Sequence, residues 1–354
     1  MKTLLLPFKL LIFNISRRLN KTFILPISYT YSITSKCDSK CKTCNIWKQK
    51  SKDDLTKEEW KKIIRNIGNA PFWITITGGN QFLRKDLSEI VGYILKYNKP
   101  KIINFPISGT LPKLVVEQIK KILAKTKGKK VKVILNISID GVNKVHDNIR
   151  GVKGAFKRAI KTFKELKRLQ KKYLNLIIGT YTIISKYNTE HIDKIKEFIM
   201  NKLKPDHYGI EIAEKNKELL NIKEKFVPNK DISIKILDKY IKDINNSKNS
   251  ILKFKNFFRR KYYIFVKKTI LRNKEIIPCF AGITSIQISP NGKIWQCCTR
   301  TDIMGDLREE NYDFKKIFFG KKANKIREKI KKEHCFCTHS NPYYTNILSS
   351  LRLK

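Results

Sequence analysis

The sequence is short of negative charge. Its 354 residues hold 30 Asp plus Glu against 76 Lys plus Arg, a formal net charge of +46. That excess works against self-association and attracts anions in general: nucleic acid, anionic lipid or acidic cofactors. The lysines run along the whole chain with no long unbroken block, a distribution of solvated helix faces more than of a nucleic-acid tail. No run of 18 or more apolar residues exists, which argues against a transmembrane helix. The N-terminal stretch has two short apolar bursts split by Pro7 and Lys9, then Arg17 and Arg18. It lacks the longer core and small-residue cleavage site of a signal peptide. An amphipathic segment over residues 1–26 is expected instead, packed on the fold or resting on a membrane surface. With 41% apolar and 10% aromatic residues, disorder is excluded for most of the chain.

The eight cysteines are unevenly placed. Cys37, Cys41 and Cys44 crowd near one end; Cys279, Cys297, Cys298, Cys335 and Cys337 lie near the other, with none between. A disulfide framework belongs to small secreted domains, and this chain is neither small nor secreted-looking. Clustered thiols in a reducing cytoplasm read as metal or iron–sulfur ligands at two sites.

Between the two groups the sequence alternates. Strands are expected at Tyr29–Thr34, Trp73–Thr77, Lys101–Ile107, Lys132–Ile139, Leu176–Ile184 and His207–Ile212. Helices are expected at Leu55–Ile67, Asp86–Tyr97, Pro112–Lys125, Ala155–Lys171 and Thr189–Leu203. Six strands separated by helices imply right-handed crossovers and a parallel sheet, either an open doubly wound layer or a partial barrel. In both, loops at the strand C-terminal ends carry the chemistry. The three-cysteine loop, Gly78–Gly79, Ser108–Gly109 and Asp140–Gly141 all fall there. Residues 214–277 read as a helical connector. Its stretch 254–268 puts Phe254, Phe257, Phe258, Tyr262, Phe265 and Val266 near one face, with Arg259, Arg260, Lys267 and Lys268 on the rest. That is an ordinary core-facing stripe or a basic aromatic surface for RNA or lipid. From Cys279 a compact cysteine-bearing segment begins, with a turn at Pro290-Asn-Gly292.

Cys37-x3-Cys41-x2-Cys44 offers three thiolates from one short loop. On a four-iron cubane this leaves one iron open to a further ligand; a zinc knuckle drawing its fourth ligand from elsewhere is the alternative. The motif resembles the signature of the radical S-adenosylmethionine (radical SAM) superfamily. Thr77-Gly78-Gly79-Asn80 ends the second strand where that family has Gly-Gly-Glu. Asn136-Ile-Ser-Ile-Asp-Gly141, His146-Asp147, Arg150-Gly151 and Gly154-Ala-Phe156 resemble the fourth-strand region of the subgroup with auxiliary clusters. The resemblance covers roughly residues 27–340. It implies an α/β fold, a partial (β/α)6 TIM-like barrel over 27–213, with a small SPASM/twitch-like domain over 278–345.

The resemblance also implies the chemistry. A [4Fe–4S] cluster on Cys37, Cys41 and Cys44 would chelate S-adenosylmethionine. One electron, from a ferredoxin- or flavodoxin-like reductant, would cleave the cofactor to a 5′-deoxyadenosyl radical that abstracts a substrate hydrogen. Gly78, Gly79 and Asn80 would face the methionine amino group, and Asn136 or Ser138 with Arg150 its carboxylate. Two departures stand out: Asn80 replaces the usual Glu, removing charge assistance, and Thr43 stands where an aromatic ring is common. Cys279-x12-Gly292-x4-Cys297 is similar to the opening of the SPASM/twitch extension, and only Cys335-Phe-Cys337 follows. Five thiols cannot fill two four-ligand clusters. One auxiliary [4Fe–4S] cluster on Cys279, Cys297, Cys335 and Cys337 is expected, with Cys298 spare and a structural zinc as the alternative. The implied substrate is a peptide, a cofactor precursor or another small molecule. An enzyme acting on RNA or membrane lipid, and a metal-cluster module without turnover, are the rival readings. A cytoplasmic protein, peripheral at the membrane if the basic segments touch lipid, is the expected setting.

Overall fold

In the computed structural model, residues 6–245 and 253–350 are described. Six strands, β1 (Ser28–Ser32), β2 (Trp73–Thr77), β3 (Ile102–Ile107), β4 (Lys132–Ser138), β5 (Leu176–Ile184) and β6 (His207–Ile212), pair in sequence order and in parallel. Sequential parallel order with crossovers of one hand places every crossover helix on one face of the sheet. These helices are α2 (Lys57–Ile67), α3 (Leu87–Tyr93), α4 (Pro112–Lys125), α5 (Lys144–Arg150), α6 (Ala155–Gln170) and α7 (Ile192–Phe198). The other face is left to curl into a half-barrel, as the sequence leads one to expect.

Burial follows that asymmetry. In β3 and β4, Ile103, Phe105, Val133, Leu135 and Ile137 face the helices and are buried, while Asn104, Asn136 and Ser138 alternate onto the other, half-open face. The helix-side core is aromatic where it is thickest. Trp60 of α2 is fully buried with its ring 5.3 Å from that of Tyr31, a burial that contributes about 2–3 kcal/mol.

The C-terminal part continues the same sheet. Strand β7 (Ser285–Ile288) pairs in parallel with β1, and β8 (Lys293–Trp295) and β9 (Ile303–Asp306) extend it antiparallel through the turn at Gly292. Helices α8 (Lys230–Asn245) and α9 (Lys253–Arg272) pack on each other beside β6, and α10 (Phe314–Phe319) and α11 (Lys321–Lys332) lie against α2 and β9. The last helix, α12 (Ser340–Ser350), packs on α9 and on the N-terminal helix α1 (Leu6–Leu19). At its start, Ser340 bonds Glu211 of β6 while Asn341 Nδ2 donates to Thr30 Oγ1 of β1 at 2.6 Å. The segment from Cys337 into α12 thus bridges the first and last barrel strands on the half-open face.

The basic aromatic stretch is core. Tyr262, Tyr263, Phe265 and Val266 of α9 are buried, and the two tyrosine hydroxyls donate to Thr338 O (Tyr262, 2.9 Å) and Ile210 O (Tyr263, 3.1 Å). Arg259 turns inward among Tyr181, Tyr240, Tyr263 and Tyr344. Only Phe257 of the stripe is well exposed, and the side chain of Phe254 lies outside the described residues. The aromatic side of this helix is thus the ordinary core-facing stripe, with Arg260 and Lys268 exposed on its outer side. No helix among the described residues is long and apolar enough to cross a membrane.

One tie between the two parts is titratable. Glu59 closes a capping box with Thr56 at the start of α2 and also accepts from Arg308 Nε at 2.7 Å and Tyr312 Oη at 2.9 Å. The Arg308 guanidinium is the chief cause that holds its carboxyl down at about 2. The folded value lies below the unfolded one of about 4.3, so this stabilisation is complete above the unfolded value and is lost as pH falls towards 2. Glu59→Gln should be less stable than the parent at pH 6, with the gap in chemical denaturation closing as the pH is taken from 5 to 2.

Candidate active site

The loop after β1 is held on every side by its neighbours. Thr34 Oγ1 donates to Asp54 Oδ2 at 2.6 Å, and the Ser35 amide donates to the same carboxylate. Gly79 N donates to Thr34 O and Asn80 N to Lys36 O, so the turn after β2 lies flat on the loop. Both glycines are required there. A Cβ on Gly78, whose φ is +133°, would sit 2.2 Å from Thr34 O, and one on Gly79 would sit 2.1 Å from Lys36 O. On the other side Lys40 N donates to Arg150 O and Lys42 N to Ile149 O, and a Cβ on Gly151 would lie 2.3 Å from Lys40 O. Asp38, between Cys37 and Ser39, accepts from Asn80 Nδ2 at 2.8 Å and from Thr110 Oγ1 at 2.5 Å. Its carboxylate thereby joins the loops after β1, β2 and β3.

The result is three half-buried thiols, Cys37, Cys41 and Cys44, within each other's electrostatic reach. Burial pushes the Cys37 thiol up to about 11 and that of Cys44 up to about 12. It raises Cys41 as well, opposed by Arg150. Thiols so placed ionise only when a cation compensates them, as a bound metal centre does. One cation is already there: Arg150 Nη1 is 3.8 Å from Cys41 Sγ. Its Nη2 pairs with Asp140 Oδ2 at 2.7 Å, both side chains being largely buried, and its Nε is buried without a partner.

Some residues expected to meet a cofactor are engaged otherwise. The Asn80 side chain holds Asp38 and accepts from Phe82 N. Asn136 lies in a polar row across the half-open face, donating to Asn104 Oδ1 at 2.8 Å and bonded to His207 Nε2 at 2.6 Å. Ser138 ends β4 on that same face, two residues nearer the C-terminal end of the strand. His146 Nδ1 accepts from Asp140 N at 3.1 Å, and burial depresses the ring to about 3, so it orients the loop as a neutral imidazole. Asp147 caps α6 through Gly154 N and Phe156 N.

Three of the C-terminal thiols pack together. Cys279, Cys297 and Cys335 pack in a single cluster with Ala281, Ile326 and Ile330. Cys279 and Cys335 are hydrogen-bonded through their side chains, with Cys297 and Cys337 in electrostatic reach. Cys298 lies beside Thr299 and the imidazole of His339, whose Nδ1 pairs with Glu211 at 2.6 Å, and is within electrostatic reach of Cys297 and Cys337. Among the described residues no three His, Cys, Asp or Glu side chains converge on a single ion. A cubane needs no such convergence, because it holds its cysteines at separate corners. Both donor sets, all-thiol and free of disulfides, fit iron–sulfur ligation.

A segment unnoticed in the sequence stitches the two cysteine groups together. Just after β6, Asn45 N donates to Leu219 O and Asn221 Nδ2 to Thr43 O on one side, while Lys217 N donates to Thr299 O and Glu218 N to Cys298 O on the other. The Glu218 side chain turns into the half-barrel, where Ser32 Oγ donates to it at 2.8 Å and Gln287 Nε2 also donates. Burial raises its carboxyl. Glu218, His339 and Asp38 carried no sequence signal, since each acts on a partner far along the chain.

Comparison with known proteins agrees with this geometry. Residues 31–199 match the model of the radical SAM superfamily, and residues 279–339 that of the SPASM iron–sulfur cluster-binding domain. The antilisterial bacteriocin subtilosin biosynthesis protein AlbA of Bacillus subtilis (strain 168) is 33% identical over 147 residues, 41% of this chain and 31% of that protein. The Fe-coproporphyrin III synthase of Methanosarcina barkeri (strain Fusaro / DSM 804) is 25% identical over 201 residues, 54% of this chain and 46% of that protein. The match therefore spans less than half the length of these relatives. The crystal structure of Streptococcus suis SuiB bound to precursor peptide SuiA shares the fold, with a TM-score of 0.61 and 14% identity over 88% of this chain and 69% of that one. The two matched domain types imply [4Fe–4S] clusters and S-adenosylmethionine.

Proposed function

We propose that this chain, which belongs to the radical SAM superfamily and carries a SPASM domain, is an enzyme that abstracts a hydrogen atom from a peptide substrate. The observation that carries the reading is the placement of Cys37, Cys41 and Cys44 on one braced loop at the mouth of a polar half-barrel. Cys37, Cys41 and Cys44 would hold a [4Fe–4S] cluster there, which with S-adenosylmethionine would supply radical chemistry by one-electron reduction. The protein's part is to place and shield. Gly78 and Gly79 bring backbone carbonyls beside the loop, and Ser138 offers a hydroxyl on the half-open face. Asn80 and Arg150 act through Asp38 and Cys41, holding the loop rather than grasping the cofactor directly. The polar row of Asn104, Asn136 and His207 floors the cavity in which a substrate would lie.

Cys279, Cys297, Cys335 and Cys337 are the ligands of one auxiliary [4Fe–4S] cluster, with Cys298 outside it. The segment around Glu218 spans the distance between the two cluster sites, so a substrate in the half-barrel has one on either hand. The one-electron reductant, ferredoxin- or flavodoxin-like, meets the outer side of the cysteine loop. There a cavity of about 470 Å³ is lined by Lys40, Lys42, Lys144 and Lys153. Its carboxylate, Asp147, is spent on backbone amides. An acidic carrier suits such a surface.

A peptide is favoured because SuiB, a protein of the same fold, is crystallised with a precursor peptide, and because AlbA serves bacteriocin biosynthesis. The Fe-coproporphyrin III synthase match carries a second reading, a tetrapyrrole substrate whose carboxylates suit the cationic surface. Anaerobic reconstitution with iron and sulfide, then dithionite and S-adenosylmethionine, should yield 5′-deoxyadenosine by liquid chromatography. Tight zinc binding and no released nucleoside would end the reading. A Soret shift on adding iron coproporphyrin III, with no turnover stimulated by peptides encoded beside the gene, would select the second.

A further inference from the structure

One face of α1 is fully used. Phe13 and Ser16 are completely buried, Phe13 packing with Phe280 and Ile283. Asn14 Nδ2 donates to Ser349 O at 3.1 Å, and Arg17 donates to Cys279 O and pairs with Glu275. The opposite face is bare among the described residues. Phe8 is 66% exposed, Leu11 51%, Ile15 41% and Leu19 61%, at spacings of three and four that keep them in one stripe. Phe23, 49% exposed, continues it past the helix end. Of the sixteen exposed large hydrophobic side chains among the described residues, five fall within residues 8–23. Such a concentration marks an interaction face, whereas scattered single residues would not.

The surroundings of the stripe are cationic. Arg18 and Lys21 are exposed and make no ion pair among the described residues. Lys331 Nζ donates to Arg18 O at 2.9 Å, which sets the basic last turn of α11 beside the end of α1. The carboxylates of that turn are already matched, Glu328 to Lys332 and Glu333 to Arg300 and Lys329. A second copy of the chain is the poorer occupant. Five side chains about half exposed offer roughly 500 Å², against the ~800 Å² per partner of a stable interface. Two copies would also bring two sets of cations together.

We propose that α1 lays its Phe8–Leu11–Ile15–Leu19 face on an anionic lipid bilayer, with Arg18, Lys21 and Lys331 over the headgroups, and holds the protein peripherally at a membrane surface. This stands apart from the reaction proposed above. It is tested by sedimentation of the full chain with vesicles of phosphatidylglycerol and phosphatidylcholine in equal parts, and with phosphatidylcholine alone. The parent should pellet with the first and far less with the second, with binding weakened by salt. Phe8→Ser/Leu19→Ser, at positions that support no core contact, should lose at least about tenfold in affinity while keeping the parent's circular dichroism. Arg18→Glu/Lys21→Glu should lose binding chiefly at low salt. Equal pelleting of parent and Phe8→Ser/Leu19→Ser overturns the proposal. So does a parent that stays in the supernatant, or one that light scattering shows as a dimer split by the same substitutions.

Discussion

Alanine in place of Cys37, Cys41 and Cys44 together should leave a folded protein that has lost about four of roughly eight iron atoms per chain and all formation of 5′-deoxyadenosine. The loop does not depend on the sulfurs for its shape. Asp54, Asp38, the Gly78–Gly79 turn and the end of α5 hold it through backbone and carboxylate bonds. The thermal midpoint of the metal-free protein should therefore move little. The converse variant, Cys279→Ala/Cys335→Ala, should lose the other iron complement. It should also destabilise the fold, because those thiols pack in an apolar cluster with Ile326 and Ile330. Iron analysis with electron paramagnetic resonance separates the two sites. Nucleoside formation persisting in the triple variant would remove the basis of the proposed activity.

Much of this was legible because it is periodic. Strands β2, β5 and β6 and helix α4 occupy the spans that alternation and helical spacing mark out. Each is a regular element whose buried face repeats. Helix α5 was missed because it is seven residues long and starts from Asn143 at a φ of +53°, a conformation set by what packs around it. Strand β7 was read as part of a separate small domain; that its hydrogen bonds go to β1 depends on a pairing more than two hundred residues apart.

The site divides along the same line. Cysteine spacing is a local signal and pointed to both groups. What holds the cysteines is not local: Asp38 reaches Thr110, Ser32 reaches Glu218, and His339 reaches Glu211. Arg150 shows how a residue can carry a partner that the sequence does not announce. A fork beside a carboxylate-bearing cofactor is what the sequence leads one to expect; the fold also gives that fork Asp140.

That pair has a sharp consequence. Arg150 and Asp140 are 13% and 3% exposed in their side chains, so either charge alone is stranded in a poorly solvated place. Arg150→Met should cost about 3–5 kcal/mol in unfolding free energy, because breaking a buried pair leaves an uncompensated ion. Asp140→Asn should cost less, since its Oδ1 can go on accepting from Ile183 N. The double variant should recover at least about 2 kcal/mol of the single Arg150→Met loss, the sign of direct coupling in a double-mutant cycle. Stability and chemistry then part company. The guanidinium also lies 3.8 Å from Cys41 Sγ, where a positive donor favours the more negative, reduced state of a cluster ligated there. Its loss should lower the reduction potential in the single variant and less in the double, because Asp140 acts on the Cys41 sulfur in the opposite sense. A redox titration of both reconstituted proteins decides the matter. If the Arg150→Met potential equals the parent's, Arg150 is only a structural counter-ion; if it falls and the double variant recovers part of the fall, the guanidinium tunes the cluster that its loop is built to carry.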